Sequence, residues 1–564
     1  MTLDASTKLF NDKKYNKALK LLNKVKLVNQ SERFKLLILK ACCLSNVGKE
    51  KLALLSLQDA KKYATTDEDK SQVLRLMLQE YLSQNNLKQA KNLIDETLVT
   101  NDTIVSVTIL KAYCEICWKV QDYEQLEMMA SRLLTQDGFC PRLQQLLCNL
   151  AVKTFNKSEA LKYVQEYSLY LNTLQEGYIV YIVLLFIELN EVKEAEAVIL
   201  QLYEKYEAHT WFKILVASLA LANKDYNEVI KLLTGLKQDS IPNWFQPQLL
   251  HIKLLAQAHE KLGNYDISFE LFNKLAKFNL EKHDFTDRID HIKQYDSIYL
   301  KDLKRTEYTQ QSMVFMIGFP RSGSTLLETM LDTHNSIVTL SEPLTISKVI
   351  ESAKNITNQD YPKCLTKLNK TELIHLKKVY FDEVEKIIGD TYKGKVLIDK
   401  MPLNIGHLPL INMLFPEAKL IVNIRHPLDV VISNFQQDYK INYSMSFLFS
   451  IESIAERYAQ IFEFYELNCR EFKLDKIEIR YEDLIENLDM ELTKLMAFLS
   501  LEKDSKYKDY QKHAKNKVIN TASKNQVSQS LYQTSRYKWV NYREQIQHIV
   551  PTLEKYIFKF NYEA

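Results

Sequence analysis

Residues 314–325 read Val-Phe-Met-Ile-Gly-Phe-Pro-Arg-Ser-Gly-Ser-Thr, an apolar run followed by a polar turn between two glycines. This pattern predicts a buried strand that runs into a tight loop and then a helix. Gly318 and Gly323 keep the spacing of a phosphate-binding loop, and Thr325 stands where that motif has its hydroxyl. Ser324 replaces the lysine that reaches the β- and γ-phosphates. The stretch therefore predicts a cradle for an oxyanion on a nucleotide and argues against ordinary ATP or GTP hydrolysis.

The predicted loop offers several ligands to such an anion. Backbone N–H groups at the N-terminus of the following helix carry roughly +0.5 charge. Arg321 adds a cation, and Ser322, Ser324 and Thr325 add hydroxyl groups.

Length and composition restrict the remaining possibilities. The 564 residues exceed one domain of roughly 100 to 200 residues, so two or more domains are expected. Only 10 Gly and 11 Pro predict a helix-rich protein, and the net charge of +3 gives no reason to expect nucleic-acid or membrane partners. The N-terminal sequence has no signal-peptide pattern, so a cytoplasmic location is expected. The eight cysteines form neither a disulfide framework nor a zinc pattern, and no metal is predicted.

A repeat runs through residues 1–280. Small or apolar anchor residues recur at separations of 34 to 39 residues, close to the 34-residue period of tetratricopeptide helix pairs. The anchors are Ala18, Ala53, Ala90, Leu126, Ala160, Ala195, Val229 and Ser268. The pattern predicts a degenerate helical solenoid whose concave surface binds a peptide or protein. An unrelated helical bundle is the alternative.

Residues 281–311 are charged and predict a connecting helix and linker, and residues 312–564 change to an α/β pattern. Short apolar strands are expected at 314–318, 395–398, 419–424 and 476–479. Strands that alternate with helices predict a parallel sheet with ligands at the carboxyl ends of its strands.

Four segments in this second part occur together in order: GFPRSGSTLLETMLDTH, DKMPLNIGHLPLINMLFPEAKLI, VNIRHPLDVVISNF and IRYEDLIENLDMELTKLMAFLSL. They resemble bacterial tetratricopeptide-containing sulfotransferases and, more distantly, tyrosylprotein sulfotransferases. The resemblance covers roughly residues 312–545. It implies an α + α/β chain, in which a tetratricopeptide-like helical solenoid precedes a P-loop-type α/β sulfotransferase domain with a parallel sheet.

The resemblance also implies 3′-phosphoadenosine 5′-phosphosulfate as the sulfuryl donor, with no metal required. The loop would hold the 5′-phosphosulfate, and an arginine and a serine eight residues apart would bind the 3′-phosphate. The implied donor-binding residues are Pro320, Arg321, Ser322, Gly323, Ser324, Thr325, Arg425, Ser433, Tyr481 and Lys538.

Three catalytic residues follow from the same resemblance. Glu342 would take the proton of the acceptor hydroxyl, whereas Lys400 and Ser523 would stabilise the departing bridge oxygen. The expected acceptor is a tyrosine in a protein or peptide recruited by the repeats. Sulfation of a carbohydrate or small-molecule hydroxyl remains an alternative, as does a catalytically inactive peptide-binding scaffold. A nucleotide kinase is disfavoured by Ser324.

Overall fold

The computed structural model describes residues 3–25, 29–100, 105–154, 156–245, 247, 249–281, 291–295, 300–306, 311–437, 447–448, 450–511 and 536–563. The chain divides into two compact units, Met1–Ile182 and Val183–Ala564. The linker predicted at 281–311, and with it the domain limits at 280 and 312, stays a prediction.

Unit 1 is built of consecutive helices, and α11 (Glu176–Glu188) crosses into unit 2. The helices of unit 1 are α1 (Leu3–Asn11), α2 (Tyr15–Leu22), α3 (Gln30–Asn46), α4 (Glu50–Lys61), α5 (Asp67–Ser83), α6 (Leu87–Thr100), α7 (Val107–Val120), α8 (Tyr123–Asp137), α9 (Pro141–Lys153) and α10 (Lys157–Ser168). Unit 2 begins with a further series of helices: α12 (Val192–Tyr206), α13 (Thr210–Ala222), α14 (Tyr226–Leu233), α15 (Leu250–Lys261), α16 (Tyr265–Glu281) and α17 (His291–Gln294).

The predicted repeat register is confirmed in both units. In every helix pair, the second helix begins three residues before a predicted anchor, as Tyr15 precedes Ala18 and Tyr265 precedes Ser268. All eight anchors are 0% exposed. A small or compact side chain is needed at each anchor because paired helices approach one another closely there. The chain therefore has the helical solenoid-like N-terminal region that the sequence predicts.

Unit 2 continues into a parallel sheet of five strands in the order β2-β3-β1-β4-β5. The strands are β1 (Met313–Gly318), β2 (Ile337–Ser341), β3 (Val396–Lys400), β4 (Lys419–Ile424) and β5 (Lys476–Arg480). The helices of this part are α18 (Ser324–Leu331), α19 (Thr345–Thr357), α20 (Lys370–Ile388), α21 (Leu408–Leu414), α22 (Pro427–Phe435), α23 (Ile451–Phe472), α24 (Tyr481–Glu486), α25 (Leu488–Leu499), α26 (Arg543–Ile546) and α27 (Val550–Lys559). The α + α/β prediction with a parallel sheet is confirmed.

The central strand β1 is buried on both faces. Phe315 and Ile317 pack in one hydrophobic core and Val314 and Met316 in the other, because successive side chains of a strand point to opposite faces. This explains why the sequence of β1 is continuously apolar, as in other parallel strands covered by helices on both sides.

The last helix pair of the solenoid-like region, α15 and α16, packs into the first of these cores. Ala256 and Phe272 belong to the same buried cluster as β1. The ring of Phe269 lies 5.3 Å from that of Phe435 on α22, measured between centroids. Within unit 2, the final helix pair therefore shares its apolar interior with the sheet.

Register brings the carboxyl ends of the strands together. Lys400 at the end of β3 is paired with Met316 of β1 and Ser341 of β2, and Gly318 is paired with Asn423 of β4. In sheets of this type, ligands bind outside the carboxyl ends, where the strand order reverses.

Among the helices that the structure describes, none has the length and apolar character needed to cross a bilayer.

Candidate active site

The loop after β1 turns sharply around two glycines. Gly318 has φ 152° and Gly323 has φ 93°, and α18 begins directly after Gly323. The Ser322 hydroxyl donates to the carbonyl oxygen of Phe319 at 2.7 Å, and Asn434 Nδ2 donates to the carbonyl oxygen of Pro320 at 2.9 Å. Side chains of the loop and of α22 therefore fix the turn from within.

Three predicted donor-binding residues meet beside this loop. Arg321 Nε donates to Ser433 Oγ at 3.1 Å, and Arg425 Nη1 donates to the carbonyl oxygen of Arg321 at 3.1 Å. The three residues are only 6–9% exposed. Arg321 adopts φ 71°, a left-handed conformation that is uncommon outside glycine and is frequent at functional sites. The structure therefore gathers two guanidinium groups and one hydroxyl next to the predicted phosphate-binding turn.

Tyr481, which follows β5, closes the far side of the loop. A Cβ built on Gly323 would lie 2.5 Å from Cδ2 of the Tyr481 ring. The guanidinium carbon of Arg425 lies 5.1 Å from the centre of the same ring, within cation–π range. Asp429 on α22 lies 3.7 Å from Arg425 and accepts hydrogen bonds from the backbone N–H groups of Tyr537 and Trp539 at 2.8 and 2.9 Å. Asp429 therefore connects this arginine to the C-terminal segment.

A second cluster forms around Lys400. Its ammonium Nζ lies 2.9 Å from Glu342 Oε1 and 3.1 Å from Glu328 Oε2, and the side chain of Lys400 is 0% exposed. The Glu342 side chain is 40% exposed, its φ is 51°, and its backbone N–H donates to the carbonyl oxygen of Lys400 at 2.7 Å. The structure therefore brings the two predicted catalytic residues into direct contact.

The charges of this cluster stabilise one another. Burial alone would lower the pKa of Lys400, but the carboxylates of Glu328 and Glu342 outweigh burial and the pKa is raised. Lys400 is therefore an ammonium at neutral pH. The adjacent Asp399 is also fully buried and accepts hydrogen bonds from Thr345 and Tyr380, both at 2.8 Å. Burial raises the pKa of Asp399 to about 6 in spite of these donors.

Lys538 lies in a polar cluster with the last solenoid helix pair. Its Nζ contacts Glu260 Oε1 on α15 at 2.6 Å and Gln436 Oε1 at 2.5 Å. The Tyr542 hydroxyl also donates to Glu260 Oε1 at 2.6 Å. Burial lowers the pKa of Lys538, and Glu260 only partly offsets this effect. The role of Lys538 at the nucleotide stays a prediction, and its contacts in the structure are with these groups.

Ser523 lies outside the described residues. Ser324 and Thr325 open α18 and are buried. Among the parts of the chain that the structure describes, no group of three or more His, Cys, Asp or Glu residues could hold a metal ion.

Two site residues were missed by reasoning from the sequence. Glu328 is the only charged residue in α18, Ser-Thr-Leu-Leu-Glu-Thr-Met-Leu, and a carboxylate in such an apolar helix signals a buried partner. Glu260 gives no comparable signal, because α15 is an ordinary amphipathic helix and the contact with Lys538 depends on tertiary packing.

Comparison with known proteins gives a family match over part of the chain. Residues 313–505 match the model of the Sulfotransferase family. An uncharacterized protein of Aquifex aeolicus (strain VF5) is 25% identical over 316 residues, which are 54% of this chain and 41% of the relative. The chain thus spans about two-fifths of the length of the curated relative that it matches.

Two solved structures show weaker likeness. The sulfotransferase domain of a Synechococcus olefin synthase is 16% identical, with a TM-score of 0.32, over 46% of this chain and 100% of that domain. A tetratricopeptide repeat protein of Parabacteroides merdae is 16% identical, with a TM-score of 0.29, over 44% of this chain and 97% of that protein. TM-scores this low give no information on the geometry of the site.

The family match defines a class for one part of the chain. Residues 313–505 are a domain that matches the Sulfotransferase family. This domain follows a tetratricopeptide-like helical region in the same chain.

Proposed function

We propose that this chain is a sulfotransferase that moves the sulfuryl group of 3′-phosphoadenosine 5′-phosphosulfate to an acceptor hydroxyl. The observation that carries the proposal is the convergence of Arg321, Arg425 and Ser433 on the turn before α18, inside a sulfotransferase family domain. Two nearly buried guanidinium groups beside a helix N-terminus suit a ligand with several phosphate charges.

The residues present fit such a donor. Gly323 has no side chain and lies against the ring of Tyr481, and the guanidinium groups of Arg321 and Arg425 lie beside the same turn. In this proposal the loop and α18 bind the 5′-phosphosulfate, and Arg425 with Ser433 binds the 3′-phosphate. The donor supplies the sulfuryl group on a nucleotide that is a good leaving group. No metal is needed, because fixed cations and N–H dipoles oppose the developing charge.

Proton transfer falls to Glu342. As the acceptor oxygen forms its bond to sulfur and the bond from sulfur to the nucleotide oxygen breaks, the carboxylate of Glu342 accepts the hydroxyl proton. Its 40% exposed side chain leaves room for an acceptor. The ammonium of Lys400 opposes the negative charge on the departing oxygen, a contribution of about 3 kcal/mol for one such group. Ser523 is proposed to assist in the same way.

We further propose a tyrosine in a protein or peptide as the acceptor. The helical repeats support this choice, because stacked helix pairs present extended surfaces that bind peptides. Carbohydrate and small-molecule hydroxyls are the competing acceptors.

Transfer of ³⁵S from the labelled donor tests the function. Purified protein is incubated with tyrosine peptides, matched phenylalanine peptides, oligosaccharides and simple phenols. The proposal predicts label on tyrosine peptides, at least a hundredfold loss with Glu342→Gln and no loss with Glu351→Gln, an exposed glutamate on α19. Label on sugars or phenols alone would replace the acceptor class. Binding of the donor without transfer to any acceptor would favour an inactive scaffold.

A further inference from the structure

Lys400 is shared by two carboxylates whose surroundings differ. Glu328 and Glu342 both lie within 3.1 Å of the ammonium. The Glu328 side chain is only 6% exposed, whereas that of Glu342 is 40% exposed. One carboxylate is thus enclosed with the lysine, and the other reaches solvent.

The enclosed carboxylate is held by two elements. Glu328 lies on α18, one turn beyond the start of the helix, and its Oε2 also accepts a hydrogen bond from the Ser341 hydroxyl of β2 at 3.3 Å. A buried carboxylate without partners would cost several kcal/mol. Its contacts with Lys400 and Ser341 therefore fix both its charge and its position.

The second carboxylate, Glu328, changes the balance of charge around Lys400. If Lys400 faced Glu342 alone, the pair would be neutral, and the cation would hold Glu342 in its charged form and make it a weak base. With Glu328 present, two carboxylates share one ammonium. Lys400 also keeps a partner after Glu342 has become neutral.

We propose that Glu328 is a positioning residue for sulfuryl transfer, holding the Lys400 ammonium in place and keeping it paired while Glu342 gains and loses a proton. This inference rests on the proposed function. It adds to that function a residue that does not itself touch donor or acceptor.

Among the described residues, few other charges face this cluster. β1 contains no titratable side chain, and Asp399 on β3 turns its carboxylate towards Thr345 and Tyr380. His407, in the turn after β3, contacts the Tyr361 hydroxyl at 3.0 Å. Arg321 in the loop after β1 is bonded to Ser433. Glu328 is therefore the carboxylate that shares the lysine with Glu342.

Glu328→Gln in the full-length protein tests the inference, because it keeps the size of the side chain and removes its charge. Asp332→Asn is the matched control, since Asp332 directly follows α18 and its carboxylate accepts a hydrogen bond from Thr339 on β2 at 2.8 Å. The protonation of Glu342 is followed by NMR of protein labelled with ¹³C at the glutamate carboxyl carbons. Glu342→Gln assigns the signal. The pH profile of kcat is measured beside it.

The inference predicts that Glu328→Gln lowers the titration midpoint of Glu342 by about one pH unit or more. The acidic limb of the kcat profile should move in the same direction, whereas Asp332→Asn should move neither. An unchanged or raised midpoint in Glu328→Gln would overturn the inference. If that variant does not fold, Glu328→Asp, which withdraws the charge from Lys400, should lower the midpoint by a smaller amount, and an unmoved midpoint would again overturn it.

The NMR titration does not depend on turnover. Absence of transfer by the unmodified protein would refute the proposed function, and the titration would still decide whether Glu328 tunes Glu342.

Discussion

The ring of Tyr481 lies directly against the backbone of Gly323, so a Cβ at Gly323 would be 2.5 Å from the ring carbon Cδ2. Real Cβ atoms do not approach other atoms this closely. Gly323 also has φ 93°, which side chains disfavour. Tyr481, which follows β5, can therefore pack on the residue before α18 only because position 323 has no side chain.

Gly323→Ala should weaken binding of adenosine 3′,5′-bisphosphate at least tenfold, because the displaced Tyr481 ring also stacks on Arg425. Calorimetric titration measures the affinity. Gly394→Ala is the control, since Gly394 also has positive φ, 76°, but open space where its Cβ would lie. That control should cost about 1–2 kcal/mol of stability and leave affinity unchanged. Equal affinities of the two variants would contradict this packing argument.

Lys400→Met should lower the free energy of unfolding by about 3–5 kcal/mol, because it leaves the buried Glu328 without its cation. Denaturant unfolding measures the loss. The double variant Lys400→Met with Glu328→Gln should recover part of it, since no buried charge then remains unpaired.

The control for this experiment is Lys348→Met. Lys348 pairs with Glu351 at 3.1 Å on the exposed surface of α19, and such pairs contribute less than about 1 kcal/mol. If Lys400→Met lowers the free energy of unfolding no more than Lys348→Met does, the buried cluster stabilises the fold no more than an exposed ion pair.

Asp399 should make the stability of the protein pH-dependent. Its pKa is about 6 in the folded chain, above its ordinary value of 3.8, so the folded state binds the proton more tightly than the unfolded state. Stability from this group is therefore fully present only below pH 3.8 and is lost as the pH rises through 6. The loss amounts to about 3 kcal/mol at 1.36 kcal/mol per pH unit.

Denaturant unfolding of wild type and Asp399→Asn from pH 4 to pH 7 checks this prediction. The advantage of wild type over the variant should shrink steadily as the pH rises. An advantage that grows with pH would show that the aspartate is stabilised in its ionised form instead.

The parts of the fold that depend on local pattern could be predicted from the sequence. Continuous apolar runs ending in polar residues gave β1, β3, β4 and β5 within about two residues of their positions. The small anchors predicted the position of the second helix in each pair, because each anchor must lie where two helices touch. Each of these signals lies within a short segment of the chain, so a single sequence is enough to detect it.

Contacts between distant segments could not be predicted in the same way. The motif order indicated that Glu342, Lys400, Arg425 and Ser433 belong to one site, but not that Lys400 is enclosed between two carboxylates. The sequence likewise gave no sign that Lys538 meets Glu260. Such pairs are set by how helices pack on the sheet, which the periodicity of one segment does not specify.

Calorimetric titration with adenosine 3′,5′-bisphosphate is the most direct test of the sulfotransferase proposal. The account predicts tight binding without metal, little binding of ATP with magnesium, and at least tenfold weaker binding by Arg425→Ala, which loses a charged hydrogen-bond donor. Arg470→Ala, at an exposed arginine of α23, should bind as wild type does. Failure of the wild-type protein to bind the bisphosphate, or a preference for ATP, would contradict the account.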